Sequence, residues 1–166
     1  MNSQENDPLA GWEKFFNAFV TGVPIPQGSM RNFKNGRITH VKSKELTQWR
    51  NLIRARLDRL IAANWPDGPI ALMLDFYLPR PDFAKGRKMP HKRHHMNGDI
   101  DKLTRSVLDA LTSVRDSKTG VSRKGLFTDD VRVCKIIACK HYATPGIQPP
   151  GVRIQAYRPL IKEDLR

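Results

Sequence analysis

Four acids stand apart in a chain dominated by cations. Asp99 and Asp101 lie two residues apart in NGDIDKLTRSVLDALT (97–112), directly after the basic run HKRHH, and Asp129 and Asp130 are adjacent in LFTDDVRV. Two readings compete for the first pair. Asp is a preferred helix N-cap, and Asp101 ahead of a helix starting at Lys102 would be such a cap, leaving Asp99 as a loop residue. Alternatively, residues two apart in an extended segment face the same way, and two carboxylates so presented could hold a cation. The second pair admits a turn or strand-edge reading, because Asp is common there. It also opens an apolar strand, where a carboxylate can be aimed at a site. Were Asp99, Asp101 and one of that pair to converge within about 5 Å, their repulsion would raise a pKa or require a positive ion. Oxygen-only ligation selects a hard divalent cation, Mg²⁺ or Mn²⁺, and not zinc. Beside a phosphodiester, such an ion lowers the pKa of bound water and offsets charge at the phosphorus under attack.

The rest of the composition says what these acids face. The chain has 166 residues, with 29 Lys and Arg against 16 Asp and Glu and a formal net charge of +13. A charge so far from zero repels itself unless an anionic partner accompanies it. Nucleic acid is the first such partner to consider and an anionic membrane surface the second. No apolar stretch approaches the ~20 residues that span a bilayer. The N-terminal MNSQENDPLAGWEKFF lacks a basic segment followed by an apolar one, so a cytosolic protein is expected.

Cys134 and Cys139 share one apolar run, VRVCKIIAC. Their odd separation along a strand would point them to opposite faces, which argues against a disulfide and for two reduced structural thiols. No CxxC-like pairing with nearby histidines supports a metal role.

The elements that position these groups are readable from hydrophobic spacing. After a polar tail of about twelve residues, one domain is expected over residues 13–166. FFNAFVTGV (15–23) reads as a strand, PIPQGSMR as a loop, and Asn35-Gly36 as the turn of a hairpin. Leu46, Trp49, Ile53, Leu57 and Leu60 recur at helical spacing within 44–64, and WPDG stops that helix. Ile70, Leu72, Leu74, Phe76 and Leu78 alternate as in a strand with one buried face. Residues 79–98 have no period and hold six Lys or Arg against one Asp, a basic loop. Leu103, Val107, Ala110 and Leu111 then form a helical stripe. The polar segment 113–125 leads into a second apolar strand, LFTDDVRVCKIIACKHY, and after ATPGIQPPG a last strand, VRIQAY. Strands separated by single helices, with two consecutive strands at the end, predict an α+β domain with a mixed sheet packed by two main helices.

GDIDKLTRSVLDALT followed by LFTDDVRV resembles the core of the RusA family of Holliday junction resolvases, especially its phage-type members: an acid pair two apart, a DAL helix, and a DD pair opening a strand. VTGVPIPQGSMR, with THV a little later, is similar to the family's N-terminal strand and loop. The resemblance implies a Mg²⁺-dependent endodeoxyribonuclease, with Mn²⁺ substituting, that acts as a homodimer on four-way DNA junctions. It implies Asp99, Asp101 and Asp130 as catalytic acids and metal ligands, with Asp129 as a further ligand of less definite role. Two departures stand out. Best-known members carry Lys four residues after the second acid, where this chain has Arg105. A guanidinium cannot serve as a base, so a role for Arg105 would be to hold the scissile phosphate; an i,i+4 ion pair with Asp101 or Asp109 is the plainer alternative. Residues 113–125 also form a longer segment than in compact relatives.

Phosphate contacts are expected from Arg31, Lys34 and Arg37 around the hairpin, from Lys88, Lys92 and Arg93 in the basic loop, and from Lys102, which could also stand in for the replaced Lys. Their counterion release would make binding fall steeply with salt. His91, His94 and His95 read as phosphate contacts or solvated residues. Against the junction resolvase stand two other readings: a non-catalytic nucleic-acid-binding module whose acids merely cap and turn, and a metal nuclease for other branched substrates.

Overall fold

Period-two alternation builds the centre of the molecule. In β4 (Ile70–Leu78), Ile70, Leu72, Leu74, Phe76 and Leu78 are all buried on one face. A computed structural model describes residues 7–28, 30–32, 38–40, 43–60, 68–80, 98–115 and 120–160, without the side chains of 30–32, 38–40 and Arg115. β4 lies inside a four-stranded sheet between β8 (Gly151–Pro159), antiparallel to it, and β7 (Val133–Tyr142), parallel to it. β1 (Trp12–Thr21) adds to the far side of β8, antiparallel. The sheet is therefore mixed, as expected. β1 starts at Trp12, ahead of the expected Phe15 and immediately after a turn, and Leu160 N donates to the Gly11 carbonyl just beyond the β1–β8 pairing.

A parallel pair needs a crossover, and α2 (Ile100–Leu111) with its flanking segments carries the chain from β4 to β7. α1 (Ser43–Asp58) buries Leu46, Trp49, Ile53 and Leu57, and α2 buries Leu103, Val107, Ala110 and Leu111. These stripes join Leu72, Leu74, Phe76, Val152 and Ile154 in one core, so both helices cover the same face of the sheet. The helices are tied together by a half-buried ion pair between Arg50 and Asp109, with Arg54 Nη2 donating to the Asp109 carbonyl at 3.3 Å. α1 ends at Asp58, short of the expected Asn64; Leu60 lies in a turn and is exposed, and 61–64 fall outside the described residues.

The expected hairpin is present as β2 (Met30–Asn32) paired with β3 (Ile38–His40), Arg31 opposite Thr39. Its Asn35-Gly36 turn lies outside the described residues. After α2, the short strands β5 (Val114–Arg115) and β6 (Ser122–Arg123) pair with each other. Gly125 lets the returning chain lie on the helix end: Leu126 N donates to the Leu111 carbonyl at 2.7 Å, and a Cβ at Gly125 would stand 2.1 Å from that oxygen. The second apolar strand begins later than its hydrophobicity suggests, at Val133, because Asp130–Arg132 form a 3₁₀ turn.

Candidate active site

Gly98, at φ +93°, turns the chain into α2, a left-handed backbone that favours glycine. Asp99 follows in extended conformation at the N-cap position, and Leu103 N donates to its carbonyl at 3.0 Å. The cap is therefore Asp99 and not Asp101: the helix opens at Ile100, and Asp101 lies in its first turn. The Asp99 carboxylate makes no capping bond. It pairs instead with Lys102 Nζ at 2.6 Å. The Lys102 hydrogen bond and charge, helped by the more distant Lys140, hold the Asp99 carboxyl below the usual carboxylate range. Reciprocally, Asp99 raises the Lys102 ammonium, with a smaller contribution from Asp101.

The loop before the helix is clamped from two directions. Gln27 N donates to the Lys102 carbonyl at 3.0 Å, and Arg50 Nη2 donates to Gln27 Oε1 at 3.1 Å. Pro26 packs so closely on Gly98 that a Cβ there would meet it at 3.2 Å. From the sheet, Lys140 Nζ donates to the Gly98 carbonyl at 3.1 Å.

Asp129 and Asp130 are exposed where the chain enters β7. Asp129 Oδ1 accepts from Val131 N at 3.0 Å and so caps the 3₁₀ turn, in line with the turn reading that competes with a metal role for this pair. Asp130 opens that turn, with its carboxylate exposed.

The two acid pairs sit at opposite ends of α2. Asp99 precedes its first residue, while Thr112, just past its last, bridges to Phe127, three residues before Asp130. A 12-residue helix is about 18 Å long at 1.5 Å per residue. β7 runs back along it, starting beside Asp130 and reaching Gly98 with Lys140. Among the described residues, Asp99, Asp101 and Asp130 form no three-donor group; the group that does form is Asp75, Cys139 and His141. Among the described residues, then, the three carboxylates expected from the sequence to converge are not gathered into one donor group.

The model of the RusA endodeoxyribonuclease family matches residues 21–155 of the chain. That span includes all four acids, both helices and most of the sheet. The chain belongs to the RusA endodeoxyribonuclease family. It is thus an endonuclease of the Holliday junction resolvase class, acting on branched DNA. A search of curated proteins finds no match. No helix among the described residues is long and apolar enough to cross a membrane.

In this resolvase Arg105 is exposed and makes no ion pair with Asp101 or Asp109 among the described residues; Asp109 is taken by Arg50 instead. The plain i,i+4 reading of Arg105 therefore has no support. Of the expected DNA contacts, Lys102 is placed beside Asp99. Arg31 lies in β2 without a described side chain, and Lys34, Arg37, Lys88, Lys92, Arg93 and the three histidines at 91, 94 and 95 lie outside the described residues. Lys140 has no signature in the sequence; it reaches the acids only because β7 passes beside the loop before α2. Cys134 and Cys139 are free, as expected, but both are exposed, so neither is a core thiol.

Proposed function

We propose that this RusA-family resolvase is a Mg²⁺-dependent homodimer that makes paired nicks in four-way junctions, each active site taking acids from both copies. The supporting observation is the separation of the acids along α2. Asp99 and Asp101 are an all-oxygen donor pair that fits a hard cation, and an octahedral Mg²⁺ would fill its other positions with waters, substrate phosphate or a further acid. In an isologous dimer residue i meets j and j meets i. Two α2 helices side by side in opposite directions would bring the partner subunit's Asp130 to Asp99 and Asp101, and do the same again at the other end. A four-way junction has approximate two-fold symmetry, and two equivalent sites match two opposed strands.

Bound Mg²⁺, with Mn²⁺ able to replace it, supplies an activated water and offsets charge at the phosphorus. The chain's own groups do the rest. The Asp99 carboxyl, held below the usual carboxylate range by Lys102, is available as a ligand once Lys102 turns toward the DNA. Arg105, Lys102 and Lys140 surround the acids with positive charge that holds the scissile phosphate and stabilises the charge developing on it. The reaction takes place in the cytoplasm of a bacterial or phage-infected cell.

Incubation with a synthetic four-way junction and Mg²⁺ should give paired, symmetric nicks. Asp101→Asn and Asp130→Asn should each abolish cutting while junction binding persists, since each change removes a ligand and no cation. Intact DNA under saturating binding, or cutting that survives a chelator, would refute the reading. Flapped and linear substrates in the same assay show whether four-way junctions are preferred.

A further inference from the structure

The face of the sheet opposite the helices carries a second set of metal-ligating side chains, of different chemistry from the acids at α2. Asp75 on β4 and Cys139 on β7 are directly paired across the parallel ladder, and His141 lies two residues beyond Cys139 on the same face. One donor atom from each comes within 4.8 Å of the others. His141 Nε2 and Asp75 Oδ1 are already 3.1 Å apart. The imidazole is held in place by Tyr77, whose ring stacks on it at 5.2 Å between centroids and 29° between planes. Phe19 meets Tyr77 edge-on at 6.0 Å, so the row of rings extends across the sheet from β1.

From this arrangement we infer that Asp75, Cys139 and His141 form a zinc site, with the fourth position open to water. Ligand atoms at about 2.0–2.3 Å from a tetrahedral Zn²⁺ are roughly 3.3–3.7 Å from one another. The His141–Asp75 separation is near that spacing, and Cys139 Sγ lies within 4.8 Å of both donors. One thiolate, one carboxylate and one neutral imidazole balance the charge of a divalent ion. That balance matters because Arg153 is paired with Asp75 across the β4–β8 ladder and would oppose an uncompensated cation. Thiolate and imidazole select Zn²⁺ over the Mg²⁺ or Mn²⁺ suited to carboxylates alone, so the two sites would not compete for the same metal. All three side chains retain solvent access, which gives the ion an entry path.

Cobalt(II) tests this directly, because only a site with thiolate ligation gives a near-ultraviolet sulfur-to-cobalt absorption band. Titration of the full chain under reducing conditions should develop the band, saturate at one equivalent, and lose it on adding Zn²⁺. Cys139→Ser should abolish the band, and His141→Ala and Asp75→Asn should weaken Co²⁺ binding by at least about tenfold. Cys134→Ser should leave it intact, as should Asp101→Asn, which separates this site from the nuclease reading. Absence of the band, or its survival in Cys139→Ser, would overturn the proposal. Cys139→Ser is nearly isosteric at an exposed position, so loss of the band in a variant with unchanged circular dichroism reports the ligand and not the fold.

Discussion

The Asp99 carboxylate pairs with Lys102 at the mouth of α2 and makes no capping bond. Its spacing from Asp101 marks the pair, yet the cap falls on Asp99 because Gly98 adopts a backbone that the sequence alone does not declare. Its partner Lys102 was visible three residues away, whereas Lys140 was not, because a contact across 42 positions depends on the path of β7. The Asp99–Lys102 pair predicts a pH signature. An Asp with a lowered pKa remains charged as pH falls through the ordinary carboxylate range. Whatever the pair contributes to folding is present above the unfolded pKa and lost as pH falls through the folded one. In Lys102→Ala, the Asp99 carboxyl should titrate at higher pH, measured by NMR on the carboxyl carbon. Arg105 yields a second prediction at this scale. As a fixed cation it should tolerate Lys with most activity retained. Arg105→Ala should lose at least about tenfold in cleavage rate, and the pH–rate profile should gain no new ionisation.

Elements were the most legible part of the chain. The period-two run of β4 and the stripes of α1 and α2 are set by burial, and a buried face leaves little choice of register. Element ends were less so. α1 stops before its apolar spacing does, and β7 starts after a 3₁₀ turn whose residues look strand-like in sequence. Ends depend on caps and on what the next segment must reach. Gly125 shows this best: no local pattern marks it, but the chain lies directly on the end of α2 there. Gly125→Ala would force a Cβ into a backbone oxygen, and that oxygen belongs to a helix end that cannot move alone. A loss of about 3 kcal/mol or more in urea unfolding is expected, near the upper end for overpacking. The displaced Phe127–Asp130 segment should lower cleavage activity as well.

At the scale of the whole molecule, the net charge pointed to a polyanion, and the match to an endodeoxyribonuclease family fits that. The relation between the acid pairs could not be read from one chain's sequence. Sequence order suggests a single pocket, while α2 holds the pairs apart at its two ends. The shared site proposed above would make activity depend on assembly: neither copy would cut alone, and a junction would meet two sites in fixed relation. The open face of the sheet, with its zinc ligands, is a separate surface created by strand pairing between residues 64 positions apart, Asp75 and Cys139.

Mixed dimers give the most direct test. Asp101→Asn and Asp130→Asn subunits carrying different tags would be co-expressed, and the dimer bearing both tags isolated and given a four-way junction with Mg²⁺. If each site draws Asp99 and Asp101 from one copy and Asp130 from the other, this dimer keeps one complete site and should nick a single strand, while both parent homodimers stay inactive. A mixed dimer as inactive as its parents would mean that all three acids act from the same chain, and the account of a shared active site would be wrong.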